Sequence, residues 1–230
     1  MPVISFANSK GGSGKTTSAL LLACALAEIK PTTIIDADPR HPVTKWAEKD
    51  GKPDNLTVIT NESEKTIQDE IDDAAAKDPF VIIDLEGTAS LRMTYAISQS
   101  DFVIVPMKEQ QQDAEAALDV IQELHRMMKA SRREIPYAVL FTQSKWVKSR
   151  TQRHIGNQFR SNERIDTFDV ELFEREPFSA IFQTGGTVRG LDPKKINGTE
   201  KALENATKFA DELIAKLRTS REKQLINEVA

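Results

Sequence analysis

The chain has 230 residues, 39% of them hydrophobic, a single cysteine and a net charge of −4. That length buries a full α/β core, and the apolar runs fall short of the ~18 residues that would suggest a membrane helix. Cys24 has no second cysteine with which to form an internal disulfide or hold a bridging cluster, and with a strand expected at the very start no secretory leader is expected, so the default expectation is a cytoplasmic protein.

The first predicted strand is the apolar run 3–7, and residues 8–17 then read Asn-Ser-Lys-Gly-Gly-Ser-Gly-Lys-Thr-Thr before an Ala/Leu-rich helix over 18–29. Strand, glycine-rich loop and helix in that order make a phosphate cradle. Backbone N–H groups across Gly11, Gly12, Ser13 and Gly14 turn onto phosphate oxygens, and the helix adds its positive end. Lys15 is placed to reach the β- and γ-phosphates, the Thr16 hydroxyl to hold Mg²⁺, and Thr17 completes the nucleotide-binding set. The general pattern wants glycine at position 9. This chain has Ser9 there and a second lysine, Lys10, ahead of the glycine pair.

The β-branched run 32–36 is the next buried strand, and it ends in Asp36-Ala37-Asp38-Pro39-Arg40. Two carboxylates two residues apart on extended backbone point the same way, so one can orient an attacking water and the other support the metal shell. A turn role before Pro39 is the alternative for Asp38. A short helix over 43–48, a strand over 56–60 and a helix over 63–77 starting at Ser63 follow. The strand 80–84 reads Phe-Val-Ile-Ile-Asp, a Walker B pattern whose Asp84 would hold the Mg²⁺ shell opposite Thr16. Leu85-Glu86-Gly87-Thr88 then stand where a loop sensing the γ-phosphate belongs.

Next come a helix over 91–98, a strand over 102–106 ending at Pro106, and an amphipathic helix over 112–130. A strand over 137–142 is followed by Gln143, placed by position near an adenine. A helix over 151–160, a final strand over 167–172 and a closing helix over 199–217 complete the pattern. Residues 1–217 read as one ATPase domain. The polar tail 218–230 is expected to fray, although Leu225, Ile226 and Val229 could extend the helix. The alternation predicts an α/β fold of P-loop NTPase type, a mostly parallel twisted sheet with helices on both faces and the ligand at the carboxyl ends of the strands.

Charge is unevenly placed. Residues 125–164 carry ten Lys/Arg against Glu134 and Glu163, net +8, which leaves −12 for the rest. Such a segment is a candidate polyanion surface or simply a pair of solvated helix faces. Within it Lys145, Lys148, Arg150 and Arg153 are the candidates for contacting DNA phosphates without reading sequence. Lys194, Lys195, Lys201 and Lys208 either extend that surface or form an ordinary solvated face, and Trp146 could stack or simply pack, packing being the favoured reading.

The lysine pair around Gly11-Gly12-Ser13-Gly14, the Asp36-Ala37-Asp38-Pro39 run, the Asp84 strand and the strand Ser100-Asp101-Phe102-Val103-Ile104-Val105-Pro106 together resemble the ParA/MinD ATPases with a deviant Walker A motif. The match extends over roughly the first 115 residues. Size and architecture are similar to the small, ParF-like partition proteins. The segment Phe173-Glu174-Arg175-Glu176-Pro177-Phe178, with Phe182 and Gly185-Gly186, resembles more loosely the VirC-type ATPases of conjugation. The sequence departs from the family at Glu86, where an Asp-x-Pro run is common, and at Arg40, where glutamine is usual.

The resemblance implies a slow, Mg²⁺-dependent ATPase that forms a sandwich homodimer with ATP. In it Lys10 crosses to the partner's phosphates and Asp38 positions the water. It also implies non-specific DNA binding in the ATP state, hence association with the nucleoid, and stimulation by a ParB-like, other centromere-binding, or relaxosome protein. Partition is the leading expectation and a conjugation accessory role the alternative. A MinD-like membrane role ranks below both, because the C-terminal segment carries Glu222 and Glu228 and few large apolar residues.

Overall fold

In each central strand the side chains alternate between two apolar layers. Ile4, Phe6, Ile34, Ile82, Phe102, Ile104 and Leu140 point into one layer, and Val3, Ala7, Ile35, Val81, Ile83, Val103, Val105 and Phe141 into the other. This period of two, apolar on both faces, is what a parallel sheet covered on both sides requires. The computed structural model describes residues 1–87 and 90–229. Its sheet is β1 (Val3–Phe6), β2 (Thr32–Ala37), β3 (Leu56–Thr60), β4 (Phe80–Leu85), β5 (Phe102–Met107), β6 (Tyr137–Ser144) and β7 (Leu172–Phe173), in the order β3-β2-β4-β1-β5-β6-β7. All pairs are parallel. The expected α/β architecture is therefore present.

The helices are α1 (Lys15–Ala27), α2 (Pro42–Ala47), α3 (Ile67–Lys77), α4 (Leu91–Gln99), α5 (Gln111–Ser131), α6 (Arg150–Arg160), α7 (Glu176–Thr184) and α8 (Thr199–Val229), with a 3-10 turn at Val188–Gly190. α1 is apolar nearly all round because it lies between the sheet and α8, the position in which a helix has no polar face to offer water. α5 buries one stripe, Ala117, Val120, Ile121 and Leu124. The order reverses around β1, so the carboxyl ends of β1, β4 and β5 border a crevice, the place where open α/β sheets hold ligands.

Several boundaries differ from the sequence reading, each for a local reason. The helix expected from Ser63 begins at Ile67. Ser63 instead opens a turn, its carbonyl accepting from the Thr66 amide at 3.2 Å and from the Asn61 side chain at 2.8 Å. β5 continues past Pro106 to Met107. β1 has already ended there, so no partner on that side needs the missing N–H, and the buried Asn8 side chain donates to the Pro106 carbonyl at 2.7 Å.

The strand expected over 167–172 is reduced to an isolated bridge at Thr167 and the two-residue β7. Between them the Glu212 carboxylate of α8 accepts the Asp169 and Val170 amides, each at 2.8 Å, in place of β6. α7 was not foreseen, although Pro177 in its first turn is a helix-start residue. The segment from 218, expected as a polar tail, continues α8 as helix to Val229. Thr88, expected in the sensing loop, lies outside the described residues.

Candidate functional site

The loop between β1 and α1 is built as the sequence implies. Gly12 and Gly14 take φ of +75° and +94°, backbone that side-chain-bearing residues rarely adopt. At Gly14 a Cβ would also stand 3.0 Å from the Thr142 hydroxyl. Thr142 Oγ1 donates to the Ser13 carbonyl at 2.6 Å and Gln143 Nε2 to the Gly12 carbonyl at 3.1 Å, so the end of β6 clamps the loop. On the opposite side Gly87 packs closely against Gly11, where a Cβ would stand 3.1 Å from the Gly11 nitrogen.

These elements enclose a cleft of ≈ 590 Å³. Gly11, Gly12, Gly14, Lys15, Thr16 and Thr17 line it, with Asp38, Arg40, Glu86 and Gly87 contributed from the β2 and β4 ends and Gln143 from the β6 end. It opens beside a smaller cleft of ≈ 240 Å³ between Gly14, Thr17, Gln143, Phe173, Arg175 and Phe178. Gln143 thus borders both.

The charged groups are unequally satisfied. Lys15 is buried, and its Nζ donates to the Lys10 carbonyl at 3.1 Å. Burial lowers its pKa, with Asp84, Asp38 and Glu86 acting in the opposite direction. Asp84 is fully buried, and neither carboxylate oxygen has a hydrogen-bond partner among the described residues. Burial pushes it up to about 8, a rise that the nearby Thr16 hydroxyl and Lys15 moderate and that Asp36 and Asp38 reinforce. Two orphaned carboxylate oxygens beside a threonine hydroxyl fit a hard cation. A Mg²⁺ ion takes only one or two protein ligands, the remainder coming from phosphates and water. Among the described residues no cluster of three or more His, Cys, Asp or Glu offers a complete metal cage.

Asp36 differs from expectation. Its Oδ2 accepts the Thr44 amide at 2.8 Å and the Thr44 hydroxyl at 3.1 Å, and Thr44 in turn meets the Thr60 hydroxyl at 2.8 Å. Asp36 therefore braces the start of α2 through Oδ2, while its Oδ1 accepts only a long contact of 3.4 Å from the Asp38 amide. Asp38 does face the cleft, with Oδ1 accepting the Arg40 amide at 2.8 Å.

Lys10 is paired through Nζ with Asp113 in the first turn of α5, a residue 1% exposed whose second oxygen has no partner among the described residues. Sequence reasoning missed Asp113, since an acid in a helix's first turn reads as a favourable end charge. Lys108 was missed as well. Its Nζ lies 3.9 Å from where a Cβ on Gly12 would stand.

The basic segment divides. Lys145, Arg150 and Arg153 are exposed, the latter two on α6, whose capping box joins Ser149 and Gln152. Lys148 is not available to DNA. Its Nζ bonds Glu109 at 2.8 Å and Glu171 at 2.6 Å, and Arg160 also pairs with Glu171. Against its burial, Lys148 holds the Glu171 carboxyl below the usual range. Glu109 is 2% exposed on its side chain and Lys148 18%. Lys148→Ala would leave Glu109 without its main cation, and urea unfolding is expected to show a loss of about 3 kcal/mol, the low end for a broken buried pair because Arg160 remains. Lys201 and Lys208 are exposed beside Lys145 and Arg153, Lys208 pairing with Glu204. Trp146, expected to pack, is stacked on Phe173 yet remains 72% exposed.

A glycine-rich loop joining the central strand to a buried helix, with a lysine at its base and an aspartate at the end of the neighbouring strand, defines a P-loop NTPase. The model of the family described as "VirC1 protein" matches residues 1–214. The chain is 36% identical to protein ParA of Rhizobium radiobacter over 219 residues, 94% of this chain and 98% of that one. It is 26% identical to protein virC1 of the same organism, over 80% of this chain and 82% of the relative. Among solved structures it is similar to a putative plasmid partition protein of Borrelia burgdorferi bound to AMPPNP, with TM-score 0.70, 19% identity and coverage of 94% and 99%. It is also similar to an ATP complex of a McdA variant from Cyanothece, with TM-score 0.74, 14% identity and coverage of 93% and 96%. The chain belongs to the VirC1 family of ParA-like P-loop ATPases.

Proposed function

We propose that the protein is an ATP-dependent dimeric switch that binds DNA without sequence preference in its ATP state and serves plasmid or chromosome partition in the bacterial cytoplasm. The observation that carries this is the association of a complete P-loop cleft with exposed Lys145, Arg150 and Arg153 on the loop and helix that follow β6, the strand clamping the P-loop. The 36% identity to ParA supports partition over a conjugation accessory role. The family match to VirC1 keeps that role as the second reading, with a relaxosome protein as partner in place of a centromere-binding one.

In this reading backbone amides from Gly11 to Thr16 hold the phosphates, Lys15 neutralises the β- and γ-oxygens, and the base occupies the smaller cleft beside Gln143. Thr16 and Asp84 would hold Mg²⁺, which supplies charge neutralisation for the leaving phosphate. Asp38 orients the attacking water at the mouth of the cleft. Lys10 leaves Asp113 to reach across a dimer interface, a charge supplied in trans that sets a slow basal rate.

The test is retardation of a random-sequence duplex with Mg²⁺ and ATP. Wild type is expected to bind with strong salt dependence, and Lys15→Gln, which cannot hold the nucleotide, not to bind. Arg150→Ala and Arg153→Ala are expected to weaken every duplex alike, each reducing the salt slope by about one. Equal retardation by Lys15→Gln, or no retardation of duplex by wild type at low salt, would remove the switch.

A further inference from the structure

Beside the exposed cations stands an aromatic pair, Trp146 and Phe173, of which only Phe173 also lines the smaller cleft beside the P-loop. Trp146 stacks on Phe173 with ring centroids 4.1 Å apart and planes 8° from parallel. The Arg175 guanidinium lies 5.4 Å from the Trp146 centroid and 5.6 Å from that of Phe173. A cation capping the outer face of either ring would be several ångströms farther from the other, so Arg175 sits beside the stack. One indole face is therefore backed by Phe173 and the other is open, consistent with Trp146 being 72% exposed. A large aromatic left open to water costs burial that the fold could otherwise use.

Trp146 lines a groove of ≈ 660 Å³ together with Lys145, Arg153, Lys201 and Lys208, the acids outside the Lys148 cluster being Asp169 and Glu204, the latter paired with Lys208. A flat π-face on a basic rim is complementary to a ligand that has both a negative backbone and exposed flat rings. Single-stranded nucleic acid has both. A duplex offers only the first, because neighbouring pairs cover each base face. An acidic peptide lacks the rings.

We infer that this groove binds single-stranded nucleic acid, with one unpaired base stacked on the free face of Trp146 and the adjoining phosphates on Lys145, Arg153 and Lys201. The inference rests on the nucleic-acid reading above and adds the strand form and the residue that selects it. Because Phe173 and Arg175 also line the smaller cleft beside the P-loop, the platform shares two side chains with the place where the base of the nucleotide is proposed to sit.

The experiment uses the full chain with Mg²⁺ and ATP against oligo(dT), a duplex of equal length and anionic phosphatidylserine vesicles. Wild type is expected to bind oligo(dT) with quenching of Trp146 fluorescence, the buried Trp46 giving a constant background. Trp146→Ala is expected to weaken oligo(dT) binding about tenfold or more, as loss of one stacked base does. Trp146→Phe should restore most of it, and duplex binding should stay within about twofold. The change is on the surface, so unchanged thermal unfolding is expected. Equal weakening of strand and duplex, or no effect on the strand, overturns the inference while leaving duplex binding by the switch in place. Vesicle binding that depends on Trp146, without strand binding, overturns it in favour of a lipid surface. Failure of wild type to bind either nucleic acid removes the DNA reading and the inference together.

Discussion

Lys10→Ala is expected to lower ATP hydrolysis by about 10³-fold, the scale of a charge-stabilising finger supplied in trans, while leaving ATP binding by the single chain within a few-fold. The separation follows from the geometry. The Lys10 ammonium is held by Asp113 on α5, whereas the cleft is lined by the glycine-rich loop and Lys15. Asp113→Asn keeps the shape of the contact and removes its charge, so Lys10 is held less tightly in the single chain. That variant is expected to dimerise at a lower ATP concentration than wild type, measured by light scattering across an ATP titration. Wild-type hydrolysis by Lys10→Ala would show that the second lysine has no part in the chemistry. An unaltered dimerisation midpoint in Asp113→Asn would show that the ion pair does not restrain it.

The second large effect concerns Asp84. With its carboxyl raised to about 8 by burial and an ordinary value near ~4 in the unfolded chain, the nucleotide-free folded state holds a proton that the unfolded state releases. The stability of the nucleotide-free protein attributable to this group is whole below about pH 4. It declines as pH rises toward 8, by up to about 1.4 kcal/mol per unit, and is level above that. Asp84→Asn removes the titration. At pH 7 the variant is expected to unfold at a higher temperature than wild type, with the gap widening between pH 5 and 8, and to lose Mg²⁺-dependent hydrolysis altogether. Saturating Mg²⁺ and ATP should stabilise wild type much more than the variant. Parallel pH profiles of the two proteins would show that Asp84 carries no such cost.

The catalytic loop and the strand carrying Asp84 were readable from the chain because their signals are local: glycines at fixed spacing, and four apolar residues ending in an acid. What escaped the sequence depends on distant partners. Lys10 and Asp113 are 103 positions apart, and nothing near either names the other. Lys148 reads as one of a run of surface cations until Glu109 and Glu171 are seen on either side of it. Asp36 and Asp38 look equivalent in an extended segment, and only the return of α2 gives Thr44 to the first and leaves the second facing the cleft. Likewise the strand expected before Leu172 loses its pairing to Glu212, a carboxylate more than forty residues downstream. The open face of Trp146 is legible only once Phe173 and Arg175 are in place around it.

The grip of Thr142 and Gln143 on the carbonyls of Ser13 and Gly12 bears on the order in which the molecule comes into being. The glycine-rich loop is made before β6, and the residues that clamp its left-handed turns arrive some 130 positions later, two strands away across the sheet. A nascent chain that has not yet delivered β6 has the glycines but not their clamp. The clamp thus ties the shape of the phosphate loop to the arrival of β6 in the sheet.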